Sequence, residues 1–252
     1  MSDVEATSQS PQRIAMVTGA AGGIGSAITR YLYKDGYRIV AVDVSKDRLD
    51  ALARELTGIT TVVADISTAD GVDEAVTFGE GAIDVLCNAA GVSDGGASVE
   101  ELTDELWDRV LRINLTSIYL MCNRVVSEMV ARGGGVVINV SSVAGLRGGR
   151  AGAAYTASKW AIVGLSENIA ASVGVDGVRC HAICPSRIVG AVAMGTGVTR
   201  TPKGIFRAER DTGRPAPGQP SDVGSLVSFL VSDNAKHLNG LAIPLDGGWL
   251  AY

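Results

Sequence analysis

Short apolar runs alternate along this chain with stretches in which apolar residues recur every three or four positions. A short apolar run bounded by glycine or polar residues is typical of a buried strand, whereas the wider spacing is typical of a helix packed on one face. Seven runs have the character of such strands: residues 13–19, 37–45, 60–65, 82–91, 134–142, 177–184 and 240–248. Helical patterns fill the intervals, including a long one from about Thr103 to Arg132.

Seven strands that alternate with helices predict an α/β fold, a Rossmann-like doubly wound sheet of about seven parallel strands flanked by helices. We expect residues 13–252 to form a single domain and the polar residues 1–12 to be a disordered tail. One segment breaks the alternation, because residues 186–219 are rich in Gly, Thr, Arg and Pro. A loop of that length inside a compact domain is usually functional, so a substrate lid is predicted there.

Composition and charge narrow the functions open to this fold. The chain has 252 residues, of which 46% are hydrophobic and 19% charged, so it can bury a sizeable core. The formal net charge is −5 and the basic residues form no block, which argues against a nucleic-acid partner. No apolar run approaches the roughly 20 residues of a membrane span. The N-terminus lacks the apolar core of a signal peptide.

Cysteine and histidine usage bears on compartment and metals. The four cysteines form no C-x-x-C pair, and only two histidines are present. Unpaired cysteines in apolar stretches are typical of buried, reduced thiols, so we predict a cytoplasmic protein. Two histidines are too few for a histidine-rich metal site, so no metal is predicted.

The first predicted strand ends in a glycine-rich turn, VTGAAGGIGSA, that opens the first helix. Gly19, Gly23 and Gly25 stand where the chain must turn sharply and let phosphate groups approach the backbone at a helix N-terminus. An acidic residue, Asp43, ends the second predicted strand. A carboxylate in that place accepts hydrogen bonds from an adenosine ribose, so the whole arrangement predicts a dinucleotide site.

A second candidate site is AAYTASKW, residues 153–160, within a predicted helix. Tyr155 and Lys159 are four positions apart and therefore project from one helical face. An isolated pair of this kind is usually a surface tyrosine beside a surface lysine. Beside a dinucleotide site the pair becomes a candidate for chemistry, because a neighbouring ammonium favours the phenolate form of a tyrosine.

The glycine spacing, T-G-x-x-x-G-x-G from Thr18 to Gly25, resembles that of the short-chain dehydrogenase/reductase family. Further family motifs follow in the expected order of strands and helices, and the match runs from about residue 13 to the C-terminus. They are Asp65 in VADIS, the NAAG segment 88–91 with Ala89 in place of one family Asn, Asn114 in RINLTS, Ser142 in VSSVAG, the Tyr155–Lys159 pair and the DGG turn at 246–248. The resemblance implies an NAD-dependent oxidoreductase.

The resemblance also implies a role for each matching residue. Tyr155 is expected to be the catalytic acid/base, and Lys159 to lower the pKa of its phenol and to hydrogen-bond the nicotinamide ribose. Ser142 would hold the substrate oxygen, and Asn114 would position a water next to Lys159. We expect the substrate to contact Ser142, Tyr155 and Ser93. Besides Tyr155 and Lys159, the expected cofactor contacts are Gly19, Gly22, Gly23, Ile24, Gly25, Asp43, Val44, Asp65, Ile66, Asn88, Ala89, Ala90, Gly91, Pro185 and Ile188.

Two positions depart from the family pattern at the nicotinamide end. The Pro-Gly that follows the sixth strand in relatives is Pro185–Ser186 here, and the threonine five residues after that proline is Gly190. Serine adopts a positive φ less readily than glycine, so a turn that needs one at Ser186 would be strained.

These assignments predict an enzyme that transfers a hydride between NAD(H) and a small-molecule secondary alcohol or ketone. Asp43 would repel the 2′-phosphate of NADP, which favours NAD. Two other classes stay open. A sugar-nucleotide-type epimerase or dehydratase commonly carries an additional C-terminal substrate domain, and a non-catalytic NAD-sensing binding protein would be expected to have lost the tyrosine or serine.

For the C-terminal aromatic residues and for the basic residues of the predicted lid, the sequence leaves two alternatives each. Relatives are commonly tetramers, so the resemblance implies a homotetramer. Trp249 and Tyr252 near the C-terminus either pack on a neighbouring subunit or fold back on their own. The lid carries basic residues that either meet an anionic substrate or form a solvated helix face: Arg200, Lys203, Arg207, Arg210 and Arg214.

Overall fold

The computed structural model describes residues 12–190, 201–204, 213 and 215–251. Its strands are β1 (Ile14–Thr18), β2 (Arg38–Asp43), β3 (Thr60–Val63), β4 (Ile83–Asn88), β5 (Gly135–Val140), β6 (Val178–Pro185) and β7 (Ala242–Leu245). They form one sheet in the order β3-β2-β1-β4-β5-β6-β7, and every neighbouring pair is parallel. The predicted Rossmann-like sheet of about seven parallel strands is confirmed.

Helices cover both faces of the sheet and bury its alternating apolar side chains. They are α1 (Gly23–Lys34), α2 (Lys46–Glu55), α3 (Ala69–Thr77), α4 (Asp104–Leu111), α5 (Ser117–Ala131), α6 (Ala153–Val173) and α7 (Pro220–Val231). One core lies between the sheet and α1, α2 and α7, and the other between the sheet and α3, α5 and α6. Because both faces are buried, most residues in the strands are apolar, without the regular alternation of apolar and polar residues that a sheet with one exposed face shows.

The order of the strands places a crevice at the centre of the sheet. The chain builds β1, β2 and β3 outward in one direction and then returns to place β4 on the other side of β1. The loops after β1 and β4 therefore diverge at the carboxyl end of the sheet. In open α/β sheets this switch point is where ligands bind.

The long helical pattern from Thr103 to Arg132 is interrupted. A π-helical turn, Arg112–Thr116, joins α4 to α5. π turns hold one more residue than an α turn and often occur at functional sites. Apolar periodicity alone does not reveal this interruption, because helical spacing continues on both sides of it.

The predicted ends and lid lie partly beyond the described part of the chain. Residues 1–11 of the tail, and residues 191–200, 205–212 and 214 of the lid, are outside it. The division into tail, single domain and lid therefore stays a prediction. Within the described residues, no helix combines the length and apolar character needed to cross a membrane.

Candidate active site

The glycine-rich turn after β1 leaves no room for side chains. Gly19 has a φ of 63°, and a Cβ there would lie 2.7 Å from the Cα of Ala90. At Gly25 a Cβ would lie 2.0 Å from the carbonyl oxygen of Gly19. The N–H of Gly22 donates to that same carbonyl at 2.9 Å. Backbone packed on backbone therefore requires glycine at both positions.

This turn has the chemistry of a phosphate site. Helix α1 begins at Gly23, its N-cap Gly22 provides no side-chain cap, and its first turn contains no acidic residue. The N–H groups and the dipole at such a helix start favour an anion. At the end of β1, the Thr18 hydroxyl is buried without a hydrogen-bond partner among the described residues. The pyrophosphate of a dinucleotide fits this cradle.

Asp43 ends β2 beside the glycine turn, and backbone groups hold its carboxylate. One oxygen accepts from the N–H of Ala21 and the other from the N–H of Ser45, both at 3.0 Å. The neighbouring Val44 side chain is 67% exposed. After β3, Asp65 accepts from the N–H of Ser67 at 2.9 Å, while Ile66 is buried. The expected adenosine contacts thus lie along the ends of β2 and β3.

The NAAG segment ends β4 and lines the other side of the turn. The side chain of Asn88 is fully buried and donates to Oδ1 of Asn139 at 2.9 Å. The N–H of Ala89 donates to the carbonyl oxygen of Thr18 at 3.2 Å. Asn88 therefore ties β4 to β5 through its Nδ2, and the cofactor contacts expected of residues 88–91 stay predictions.

Tyr155 and Lys159 lie one turn apart in α6. Nζ of Lys159 is 5.4 Å from the centroid of the Tyr155 ring and donates to the carbonyl oxygen of Val140 at 2.8 Å. Lys159 is 3% exposed, and burial lowers its pKa to about 8. The alternative of a surface lysine is therefore wrong.

Burial also dominates the ionisation of the Tyr155 phenol. It raises the pKa to about 12, in opposition to a hydrogen bond with Ser142, and the charge of Asp94 raises the pKa further. The expected fall of this pKa toward neutrality is not met in the chain alone, because burial disfavours the phenolate more than the surroundings favour it. A positively charged nicotinamide would act against burial.

Ser142 and Ser93 stand on two loops near the start of α6. The hydroxyl of Ser142, just after β5, accepts from the N–H of Ala144 at 3.2 Å. The hydroxyl of Ser93, after β4, accepts from the N–H of Gly95 at 3.0 Å. Each hydroxyl is oriented by its own loop and still carries a proton that it can donate to a substrate oxygen.

Asn114 lies in the π turn and is fully buried. Its Oδ1 accepts from the N–H of Val92 at 2.7 Å, and its Nδ2 donates to the carbonyl oxygen of Val92 at 3.0 Å and to Oγ of Ser158 at 3.2 Å. A Cβ added at Gly91 would lie 3.3 Å from Oδ1 of Asn114 and 3.7 Å from Nζ of Lys159. The fold thus brings both Asn114 and Lys159 close to Gly91.

The segment after β6 shows how the backbone accommodates serine at position 186, where relatives have glycine. The N–H of Ser186 donates to the carbonyl oxygen of Leu245 at 3.0 Å. Among the described non-glycine residues only Glu80 has a positive φ, so Ser186 carries no such strain. Gly190 has a φ of 66°, and Ile188 is buried and pairs with Gly218. Pro185 and Ile188 therefore stand at the carboxyl end of the sheet, where the family resemblance places them.

The loop between β4 and α4 contains a residue that sequence reasoning missed. Asp94 is 1% exposed, and its carboxylate accepts from the N–H of Tyr155 at 2.9 Å and from the N–H of Gly96 at 3.0 Å. Tyr155 is 61 residues further along the chain. The signal that could have found it is an acidic residue followed by two glycines in the loop after β4. Such a pattern is common in loops that have no part in a functional site.

The same loop contacts the described part of the predicted lid segment. The carboxylate of Glu101 accepts from the hydroxyl of Thr201 at 2.9 Å and from the N–H of Lys203 at 3.1 Å. Hydrogen bonds from Ser98, Lys203 and Thr201 outweigh burial and lower the pKa of Glu101 to about 2. Lys203 also pairs with Glu100, which favours a solvated charge over a substrate contact. The lid arginines at 200, 207, 210 and 214 lie outside the described residues.

The C-terminal segment folds back on its own subunit. Trp249 is 6% exposed, and the guanidinium carbon of Arg150 lies 4.2 Å from the centroid of its ring. Arg150 belongs to the loop that connects Ser142 to α6. Of the two alternatives for Trp249, packing within the subunit is the one observed, and Tyr252 is not among the described residues.

Metal ligands and disulfides do not contribute to this site in the described part of the chain. There, no group of three His, Cys, Asp or Glu residues is placed to hold a metal ion. Cys87, Cys122, Cys180 and Cys184 are buried free thiols.

Comparisons with known proteins point the same way. Residues 13–200 match the short chain dehydrogenase family. The chain is 36% identical over 254 positions to 3beta-hydroxysteroid dehydrogenase 2 of Eggerthella lenta, covering 94% of this chain and 95% of that protein. D-threitol dehydrogenase of Mycolicibacterium smegmatis is 37% identical, covering 94% and 92%. The crystal structure of levodione reductase superposes with a TM-score of 0.86 at 32% identity, covering 95% and 98%.

Proposed function

We propose that this chain, which belongs to the short-chain dehydrogenase/reductase family, transfers a hydride between NAD(H) and a secondary alcohol or ketone, with Tyr155 as the acid/base. The observation that carries the proposal is the meeting of three side chains at α6. Lys159 is buried with its Nζ 5.4 Å from the centroid of the Tyr155 ring, and the Ser142 side chain acts on the phenol to lower its pKa. When bound, the nicotinamide accepts or delivers the hydride.

The chain's own part in the reaction is proton transfer at the substrate oxygen. In ketone reduction, Oη of Tyr155 gives its proton to the carbonyl oxygen as that oxygen gains charge, while the Ser142 hydroxyl donates a hydrogen bond to it. In alcohol oxidation the phenolate takes the hydroxyl proton. Burial keeps the phenol protonated, so the chain alone is poised as a proton donor.

Asp43 supports NAD over NADP. Its carboxylate is anchored by two backbone N–H groups at the rim of the phosphate cradle. A fixed negative charge accepts hydrogen bonds from ribose hydroxyls and repels a 2′-phosphate, and like charges in a recognition site cost several kcal/mol. The next residue, Val44, offers no compensating charge.

The relatives support a secondary alcohol as substrate without fixing its size. A 3β-hydroxysteroid is large and rigid, whereas D-threitol is small and polar, and both carry secondary hydroxyl groups. We infer that the reacting group is shared and that the lid and loops select the rest of the molecule.

The proposal is tested by mixing the purified protein with NAD or NADP and a panel of secondary alcohols, and following the absorbance of the reduced cofactor. The panel includes 3β-hydroxysteroids, D-threitol and cyclic or aryl alcohols. Turnover with NAD is expected for at least one of them. Tight NAD binding without turnover would favour a sensing protein, and an isomerised or dehydrated product without net reduction of cofactor would favour an epimerase or dehydratase.

A cytoplasmic homotetramer remains part of the proposal. The buried free thiols are typical of a reducing compartment. Light scattering on the purified protein should give a mass near four times 25.9 kDa. A monomer at micromolar concentration would contradict it.

A further inference from the structure

We propose that Asp94 is a positioning residue for Tyr155: from the loop after β4 it fixes the first turn of α6, and its negative charge raises the pH at which the phenol gives up its proton. The second half rests on the proposed function, because it needs Tyr155 to be the acid/base. The first half stands on the contacts of the chain alone.

The first turn of α6 has no cap of its own. A helix leaves its first four N–H groups without partners inside the helix. The N-cap here is Gly152, which has no side chain to accept from them. The loop after β4 supplies the acceptors instead: the carbonyl oxygen of Ala97 accepts from the N–H of Ala153 at 2.8 Å, and Oδ2 of Asp94 accepts from the N–H of Tyr155 at 2.9 Å. Asp94 thus caps the helix from a distant part of the chain.

The carboxylate has little freedom to move. Its Oδ1 accepts from the N–H of Gly96 at 3.0 Å, and Asp94 is 1% exposed. A Cβ added at Gly152 would lie 2.3 Å from both carboxylate oxygens. The acid therefore rests directly on the start of α6, which explains why the N-cap is glycine and not one of the usual capping residues.

The charge of Asp94 acts on the same phenol that the backbone contact positions. In the described chain, the groups that act on the phenol come from three elements: Asp94 from the loop after β4, Ser142 from the loop after β5 and Lys159 from α6 itself. A carboxylate disfavours a nearby phenolate and also offsets the positive end of the helix dipole. Removing this charge should lower the pKa of Tyr155.

Hydrogen exchange tests the positioning role without any need for activity. We compare amide exchange in Asp94→Ala and Asp94→Asn with exchange in a matched control, Thr103→Ala. The Thr103 hydroxyl caps α4 by accepting from the N–H of Leu106 at 3.2 Å, so the control removes a helix cap elsewhere in the molecule. Exchange of the amides at 153–156 should rise at least about tenfold in Asp94→Ala, as the loss of one hydrogen bond to a charged group implies. The control should leave these amides protected. Unchanged protection in Asp94→Ala would overturn the role.

The pH profile tests the charge. Asn keeps the size of the side chain and one acceptor, so Asp94→Asn keeps the pH test decisive even if Asp94→Ala fails to fold. The rising limb of kcat/KM for alcohol oxidation should move to lower pH by about one unit in Asp94→Asn, since a neighbouring charge shifts a pKa by that order. If the rising limb of Asp94→Asn lies at the same pH as that of the wild type, the electrostatic role of Asp94 is overturned.

The two proposals fail differently. If wild type shows no turnover, or if Tyr155→Phe keeps wild-type turnover, Tyr155 is not the acid/base and the proposed function fails. The exchange result still decides whether Asp94 holds the start of α6. If wild type and Tyr155→Phe behave as expected but the limb does not move, only the electrostatic role of Asp94 is lost.

Discussion

The two halves of the site are built from different material. The half proposed to bind the cofactor, around β1 and β2, is built from backbone: no Cβ fits at Gly19 or Gly25, and the N–H of Ala21 holds Asp43. The half proposed to transfer the proton, around α6, is built from side chains: Lys159 donates to the carbonyl oxygen of Val140, and Asp94 accepts from the N–H of Tyr155.

This difference predicts different responses to substitution. In the cofactor half a change is mostly steric, because any added atom meets fixed backbone. In the proton-transfer half a change is mostly electrostatic, because buried charges and hydrogen bonds set the ionisation of the phenol. The first half should tolerate few substitutions, and the second should be adjustable by small changes of charge.

The proton-transfer half is tested most severely at Tyr155. Tyr155→Phe keeps the ring and removes the hydroxyl, so turnover should fall by about 10² to 10⁴ while NAD binding persists. Turnover and the NAD dissociation constant measure the two halves separately. Tyr119→Phe, at a half-exposed tyrosine of α5, is the matched control and should change neither. Retention of more than about a tenth of wild-type turnover would remove Tyr155 from its role.

The cofactor half should discriminate NAD from NADP more than about a hundredfold in kcat/KM, because a lost charged hydrogen bond and the repulsion add. Asp43→Ser combined with Val44→Arg should erode or reverse that ratio. Initial rates with both cofactors and one alcohol measure it. Equal efficiency of wild type with both would show that the carboxylate does not face the ribose.

Glycine-to-alanine changes separate steric from conformational effects. Gly25→Ala places a Cβ 2.0 Å from a carbonyl oxygen, so it should lower the free energy of unfolding by about 1–3 kcal/mol and weaken NAD binding. Gly164→Ala in α6, where the added Cβ meets nothing within 4 Å apart from the neighbouring backbone of its own helix, should instead stabilise by about 0.5–1 kcal/mol. Denaturant unfolding measures both, and a neutral Gly25→Ala would contradict the backbone cradle.

The smallest expected effect concerns the C-terminal contact. Arg150→Gln removes the cation over Trp249 and should lower the free energy of unfolding by about 1 kcal/mol, the size of a partly desolvated cation–π contact. Arg147→Gln, at an exposed position of the same loop, is the control. Equal stability of the two variants would show that the contact contributes nothing measurable.

The sheet and the cofactor half could be predicted because their signals are local. The glycine spacing, the acid at the end of β2 and the four-residue spacing of Tyr155 and Lys159 each lie within one strand, turn or helix. Local geometry dictates those residue types whatever the rest of the chain does.

The remaining features depend on partners far apart in sequence. Asp94 contacts a residue 61 positions away, and Glu101 contacts the lid residue Thr201 100 positions away. Neither pairing leaves a periodic pattern. The raised pKa of Tyr155 was missed for the same reason, because burial is a property of the assembled fold and not of the Tyr-x-x-x-Lys spacing.

The π turn at Asn114 makes the length of this helical segment matter as well as its composition. A π turn takes up one extra residue with little change in the rotation between the helices on either side of it, so deleting one residue between Arg112 and Thr116 would restore α-helical winding and leave α4 and α5 in place. Asn114 would then turn away from Val92 and Ser158. A single-residue deletion here, although it would make the helix more regular, should disconnect the asparagine from the lysine side of the site.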